Sequence, residues 1–264
     1  TIEYGATGTY ANNIVLSVAA PASADPSTFN TDAGVVATLT GSITQGGGDA
    51  VQPVVIGGSG TIVLTNTANS WTGSTTINAG ATLQGASNTI SGGSVVNNGV
   101  LAFNQATAGA FATGISGSGV LNILGSGALT LSGTNTYTGA TNINAGNLIA
   151  SGGSAVGDSS AVTVASGGTL TLAGSETIGS LAGSGSVNLG ANTLTVGGDN
   201  TSTEFSGVIS DMAAGPLTFV GSWNVSDGPS WPAGPPTYTG QEAAALLEDE
   251  RVVAIERLVD QDDA

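Results

Sequence analysis

Apolar residues recur at every second position in short segments, and turns rich in Gly, Ser and Asn separate these segments. A period of two is that of a β-strand, whose successive side chains point to opposite faces. The intervening positions carry Thr, Asn, Ser or Val, which predicts one buried and one solvent-facing side for each strand. The apolar pairs are Ile62 and Leu64, Leu121 and Ile123, Leu129 and Leu131, Leu170 and Leu172, Val187 and Leu189, and Leu194 and Val196. The pattern predicts an all-β chain that bends every few residues.

The segments also resemble one another in sequence. Gly58–Gly80 (GSGTIVLTNTANSWTGSTTINAG) and Gly125–Gly146 (GSGALTLSGTNTYTGATNINAG) differ in length by one residue. Repetition with a period of roughly twenty residues is typical of a solenoid, whose turns bury their apolar faces by stacking on their neighbours. The strands of a sandwich or barrel need not resemble one another. The repeats therefore favour a parallel β-helix, in which Asn beside the turns can form amide ladders between turns.

The two ends differ from the repetitive middle, as a solenoid with exposed terminal edges requires. We predict an N-terminal cap or small β region in residues 1–57, β-solenoid repeats in 58–211, a Pro- and Trp-containing linker or covering loop in 212–238, and an acidic C-terminal helix and tail in 239–264. Within the first region, Ile14–Ala24 is similar to the apolar core of a signal peptide. It has no basic start, so a strand followed by a loop is predicted there.

The predicted C-terminal α-helix rests on a capping pattern and on its apolar face. Thr239 followed by Glu242 fits a capping box, and Leu247, Ile255 and Leu258 can share one helix face. The helix is densely acidic, which is compatible either with a solvated helix or with docking to a partner or to the end of the solenoid.

Charge excludes several classes of partner. The 264 residues carry a net charge of −16, with no Lys and no His, and Arg251 and Arg257 are the only basic side chains. A nucleic-acid binder needs clustered cations to replace counterions, so nucleic acid is not an expected partner. Anionic membrane surfaces are disfavoured for the same reason. No apolar run approaches the roughly 18 residues of a membrane-spanning helix, so no membrane span is expected in this chain.

Catalytic residue types are scarce. Without His or Cys, neither the common Ser or Cys triads nor the usual zinc sites can be assembled. Paired carboxylates can cleave glycosidic bonds, and the acids available in and beside the repeats are Asp158, Glu176, Asp199, Glu204 and Asp211. No pair among them has a diagnostic spacing. We therefore expect no catalytic residues and no enzymatic activity.

Two weaker site hypotheses remain. Calcium is the one cofactor that the charge favours, because it takes oxygen ligands, and the candidates are Asp199, Glu204, Asp260, Asp262 and Asp263. The alternative is that these are solvated acids and that the chain has no cofactor.

Trp71 and Tyr137 occupy matching positions of the two long repeats. They are candidates for an exposed aromatic stripe that binds sugars, and the alternative is packing at a turn between neighbouring rungs.

The two long repeats closely resemble the passenger-associated repeats of bacterial autotransporters, and Ser175–Ser210 is similar to the same family. The resemblance covers about residues 58 to 210. It implies a right-handed parallel β-helix displayed outside a Gram-negative outer membrane as a stalk, folding module or adhesive surface. It does not imply catalysis.

These observations favour a secreted, non-catalytic surface protein, an adhesive or stalk-like β-helix passenger. Expected partners are surface or matrix components, including glycans. One alternative is a self-assembling subunit of an extracellular filament or layer, joined through the solenoid ends as a homo-oligomer. Another is a carbohydrate-binding module that uses one face of the solenoid.

Overall fold

The computed structural model of the chain describes residues 1–16, 26–46 and 51–211. These residues form a parallel β-solenoid of about eight turns, which confirms the predicted fold class for this part of the chain. Within these ranges the chain forms strands and turns without an α-helix, and hence without a helix that could cross a bilayer. The predicted C-terminal helix and the Pro- and Trp-containing segment lie outside the described residues.

Twenty-five short strands make up the solenoid. They are β1 (Ile2–Tyr4), β2 (Gly8–Tyr10), β3 (Ile14–Leu16), β4 (Ser27–Thr31), β5 (Val36–Leu39), β6 (Ile43–Gln45), β7 (Val54–Gly58), β8 (Thr61–Leu64), β9 (Thr75–Ile77), β10 (Thr82–Gly85), β11 (Val95–Asn97), β12 (Val100–Phe103), β13 (Gly109–Phe111), β14 (Ile115–Ser116), β15 (Val120–Ile123), β16 (Ala128–Leu131), β17 (Thr141–Ile143), β18 (Gly146–Ala150), β19 (Ala161–Val164), β20 (Gly168–Leu172), β21 (Glu176–Ile178), β22 (Ser180–Gly183), β23 (Ser186–Asn188), β24 (Leu194–Val196) and β25 (Val208–Ser210).

Each turn contributes strands to up to three sheets, and all strand pairs run parallel. The first sheet has the order β1-β4-β7-β9-β11-β14, the second β2-β5-β8-β10-β12-β15-β17-β19-β22, and the third β13-β16-β18-β20-β23-β25. Two further pairs are β3 with β6 and β21 with β24. The second sheet is the continuous spine of the solenoid, because its nine strands follow one another along the described stack.

The register of the second sheet places like residues above one another. Leu83, Leu101 and Leu121 are successive partners, at spacings of 18 and 20 residues. They belong to a buried column that contains Ala37, Ile62, Leu83, Leu101, Leu121, Thr141, Val162 and Leu181. The apolar pairs predicted from the alternation are buried, except Val196, which is partly buried against the core. The alternation therefore identifies the inward positions correctly.

The two long repeats do not occupy the same sheets. In the first repeat, β8 lies in the second sheet and β9 in the first sheet, whereas the equivalent β16 and β17 of the second repeat lie in the third and second sheets. The sequence repeat is thus rotated by one sheet around the solenoid axis. Because the sheets present the same inward alternation, the repeat fits both of these placements.

The described residues among the first 57 are continuous with the solenoid. Strands β1, β4 and β7 extend the first sheet, and β2 and β5 extend the second. The segment with a signal-like sequence begins in β3, whose partner is β6, and its residues 17–24 lie outside the described ranges. Among the described residues, β7 crosses the predicted boundary at residue 58, and the strands on both sides of it belong to one stack.

Candidate functional site

The two long repeats share a seven-residue corner motif, Asn-x-Trp/Tyr-Thr-Gly-x-Thr, at Asn69–Thr75 and Asn135–Thr141. In the first copy the Trp71 indole donates to Thr75 Oγ1 at 2.9 Å, and in the second the Tyr137 hydroxyl hydrogen-bonds to Thr141 Oγ1 at 2.8 Å. In both copies the ring therefore lies at an inward corner and is fixed by the threonine four residues further along the chain.

The burial of these rings corrects one sequence-based hypothesis. Trp71 is 2% exposed and Tyr137 is 1% exposed. Burial raises the pKa of Tyr137 to about 12, against hydrogen bonds from Thr141, Gly157 and Ser160 that lower it. A sugar cannot stack on a ring that the surrounding turns enclose, so these two residues do not form the predicted exposed aromatic stripe. Their place agrees with the alternative, packing at a turn between rungs.

The asparagine of the motif connects three successive turns. Asn135 Oδ1 accepts the Ile115 N–H at 2.8 Å, and its Nδ2 donates to the Ala155 carbonyl at 2.6 Å. Asn69 makes the same two bonds, from Ile43 N–H and to the Thr89 carbonyl, both at 2.8 Å. The side-chain amide thus makes the hydrogen bonds that a strand would otherwise make at this position. It pairs with one backbone group of the preceding turn and with one of the following turn.

The glycine of the motif is required by close stacking. A Cβ on Gly73 would lie 2.1 Å from the Gln52 carbonyl oxygen, and a Cβ on Gly139 would lie 2.0 Å from the Gly119 carbonyl oxygen. The backbone of the preceding turn occupies the space that a side chain would need.

A buried carboxylate completes the same region. Glu176 is 3% exposed, and its Oε1 and Oε2 accept the N–H groups of Val156 and Ala155 at 2.9 and 3.3 Å. Burial, together with the nearby charge of Asp158, raises the pKa of the Glu176 carboxyl, while these two hydrogen bonds lower it. No ion pair accompanies it, because the described ranges contain neither Lys nor Arg. Glu176 thus stabilises the stacked turns by accepting hydrogen bonds from two backbone N–H groups.

The irregular turns around Asn135 leave an open groove of about 390 Å³ on the outside of the solenoid. It is lined by Thr134, Asn135, Thr136, Tyr137, Ser154, Asp158, Ser159, Thr177 and Gly198. Hydroxyl groups dominate the rim, and Asp158 is its one charged residue. This surface offers hydrogen-bond donors and acceptors to a polar ligand. The candidate acids Asp158 and Glu176 thus lie in one region of the stack.

The remaining predicted acids are spread over the end of the described stack. Desolvation raises the pKa of Asp199, but the hydrogen bonds that it accepts from the Ser180 hydroxyl and from Thr201 together outweigh this effect and lower the pKa. Glu204 is exposed. Within the described ranges, no three acidic or other ligating side chains are grouped closely enough to hold a metal ion. Asp260, Asp262 and Asp263 lie outside the described residues, so calcium binding there stays a prediction.

Sequence reasoning missed the structural roles of Asn135 and Glu176. A signal for Glu176 was present, because alternation places it on the same strand face as the buried Ile178. An amide pair between turns, predicted in general terms, does occur: Asn142 Nδ2 donates to Asn122 Oδ1 at 2.9 Å.

Comparison with known families agrees with this architecture. The family of the passenger-associated-transport-repeat matches residues 57–84, 81–103 and 124–150, which include the whole of both long repeats. No curated protein and no solved structure matches the chain. Three matches on a parallel β-solenoid show that the chain carries passenger-associated transport repeats, which is consistent with the β-helix of an autotransporter passenger.

Proposed function

We propose that this chain is a non-catalytic, rod-like part of a surface passenger that holds or forms an adhesive face outside a Gram-negative cell. The observation that carries the proposal is the unbroken second sheet of nine parallel strands, eight of which bury a largely apolar column from turn to turn. Nine strands at about 4.8 Å spacing give a stiff spine of about 40 Å. The repeat family supports a secreted, surface-exposed location.

The outer side of the second sheet supports the adhesive role. Its outward residues are uncharged throughout, although the chain carries a net charge of −16. Central examples are Val63, Gln84, Asn122, Asn142 and Thr163. A flat neutral surface with amides and hydroxyls can contact glycans or matrix proteins without long-range repulsion from its own carboxylates.

The first experiment separates a rod from an assembly subunit. The purified chain is imaged by electron microscopy and measured by sedimentation, with and without millimolar calcium. We expect isolated short particles that sediment as monomers in both conditions. Ordered filaments or sheets would overturn the stalk-like role in favour of a self-assembling subunit.

A second experiment tests adhesion directly. Beads coated with the chain are applied to glycan and matrix-protein arrays, beside beads coated with Leu121→Asn, which breaks the buried column at unchanged charge, and Asn142→Asp, which adds one charge to the outer face. We expect both variants to lose adherence, the first by unfolding and the second with the fold intact. Equal adherence of all three chains would contradict an adhesive role for this face.

The non-catalytic role has its own test. Hydrolysis of any polysaccharide in a broad panel, abolished by Asp158→Asn in a correctly folded chain, would contradict it. We expect no turnover in the panel.

A further inference from the structure

Two residues, Asn98 and Gly99, connect β11 to β12 within one turn of the solenoid. This is the single Asn-Gly dipeptide in the 264-residue sequence. Asn98 is exposed, and neither its side chain nor the Gly99 N–H makes a hydrogen bond within the part of the chain that the structure describes. The Asn98 backbone is nevertheless held in place, because its N–H donates to the Ile77 carbonyl at 2.8 Å.

The stack itself requires glycine at this position. A Cβ on Gly99 would lie 2.3 Å from the Ala81 carbonyl oxygen and 2.4 Å from that of Asn78. The preceding turn therefore excludes every other residue at position 99. The fold thus places glycine directly after an asparagine whose side chain makes no hydrogen bond within the described residues.

We infer that Asn98 is a site of spontaneous deamidation in the folded protein. The Gly99 backbone nitrogen loses its proton to solvent base and attacks Asn98 Cγ, so that a new N–Cγ bond forms. The bond from Cγ to the side-chain nitrogen breaks, and that nitrogen leaves as ammonia. Water then opens the resulting succinimide at either carbonyl, which yields aspartate or isoaspartate. One water is consumed and one ammonia is released, without an oxidant or an enzyme.

Glycine favours this reaction because no Cβ hinders the approach of its nitrogen to Cγ. The Asn98 amide is available because it does not bridge turns, unlike the amides of Asn69 and Asn135. The product adds one negative charge to the turn, and isoaspartate also inserts one methylene into its backbone. The next turn packs directly on this position, since Gly119 N–H donates to the Asn97 carbonyl at 2.8 Å. Ageing of the protein therefore loosens the stack at this corner.

The chain offers a matched control one turn earlier. Asn78 follows β9 as Asn98 follows β11, it is also exposed, and its N–H donates to the Ile56 carbonyl at 2.9 Å. It is followed by Ala79 instead of glycine. Ala79→Gly is therefore expected to make Asn78 reactive, whereas Asn98→Gln is expected to remove the reactive site.

The full folded chain and both variants are incubated at mildly alkaline pH and body temperature. Peptide mapping by mass spectrometry and isoaspartyl methyltransferase labelling then locate the products, and circular dichroism confirms that each variant is folded. We expect Asn98 to convert several-fold faster than every other asparagine in the native chain, and Asn78 to become comparably reactive in Ala79→Gly.

A parallel incubation in urea measures the reactivity of the same dipeptide without the fold. If Asn98 converts in urea but stays intact in the folded chain, the solenoid protects it and the inference is wrong. Conversion of Asn98 no faster than that of Asn78 in the native chain would likewise overturn it.

Discussion

Asn135→Ala is the sharpest test of how the solenoid pairs backbone groups of neighbouring turns at a place where no strand lies between them. The substitution removes the acceptor of the Ile115 N–H and the donor to the Ala155 carbonyl. Asn135 is 4% exposed, so water does not readily replace either bond. A buried backbone group left without a partner costs about 1–3 kcal/mol, and two such groups give an expected loss of about 2–6 kcal/mol in the free energy of unfolding.

Asn69→Ala provides the matched comparison. Asn69 makes the same two bonds but is only partly buried, so solvent can replace them after the substitution. We expect a loss of about 1 kcal/mol, close to the net value of ordinary hydrogen bonds. Asn122→Ala serves as the surface control, because it removes one outward amide pair with Asn142 and leaves the stack unchanged.

Urea unfolding gives the global stabilities, but stacked turns can unfold in parts. Amide hydrogen exchange therefore supplies the local measurement. We expect the Ile115 amide to lose protection in Asn135→Ala and the Ile43 amide to lose protection in Asn69→Ala. If Asn135→Ala is no less stable than Asn69→Ala and Ile115 exchange is unchanged, the bridging role assigned to this amide is refuted.

Two further predictions concern the same stack. The pKa of Glu176 is raised in the folded state by burial and by Asp158, so the native chain binds the Glu176 proton more tightly than the unfolded chain does. It therefore loses stability as pH rises above the ordinary value of 4.5 and through the folded pKa. Glu176→Gln removes this dependence, and urea midpoints from acidic to neutral pH should show the native-minus-variant difference fall with rising pH; a constant difference would show that Glu176 is not the group responsible. Gly139→Ala places a Cβ 2.0 Å from the Gly119 carbonyl and should lower the thermal midpoint strongly, whereas Gly167→Ala meets only the Asn144 carbonyl at 3.5 Å and should change it little. Equal midpoints for the two glycine variants would show that the close stacking at Gly139 is not required.

Much of the architecture follows from local patterns that a single sequence displays. The alternation around Ile62, Leu121 and Leu170 identifies inward positions without knowledge of any neighbour, because period two alone assigns a strand residue to one face. The similarity of Gly58–Gly80 to Gly125–Gly146 indicates stacking, because only like turns bury one another in a column. The scarcity of basic side chains also bounds the partners, because net charge follows from composition alone and does not depend on the fold.

The candidate site was less accessible to sequence reasoning. The sequence shows that Trp71 and Tyr137 are equivalent, but an exposed and an enclosed aromatic at a turn look alike in sequence, and the surrounding turns decide between them. Asn135 and Glu176 likewise depend on partners about twenty residues away, at Ile115, Ala155 and Val156. A local pattern contains no information on which backbone groups those distant turns leave unpaired.

The sequence by itself determined that the chain forms short strands with one buried face and that the strands stack as a repeat. Its net charge of −16 also predicts that polyanions are not partners. Only the tertiary structure decided which sheet each strand joins, as the shift of the second long repeat by one sheet shows. The physical reason is that inward or outward orientation is set residue by residue. The position of a strand around the axis depends on the summed lengths of all the preceding turns, and the burial of a side chain depends on what the adjacent turns place against it.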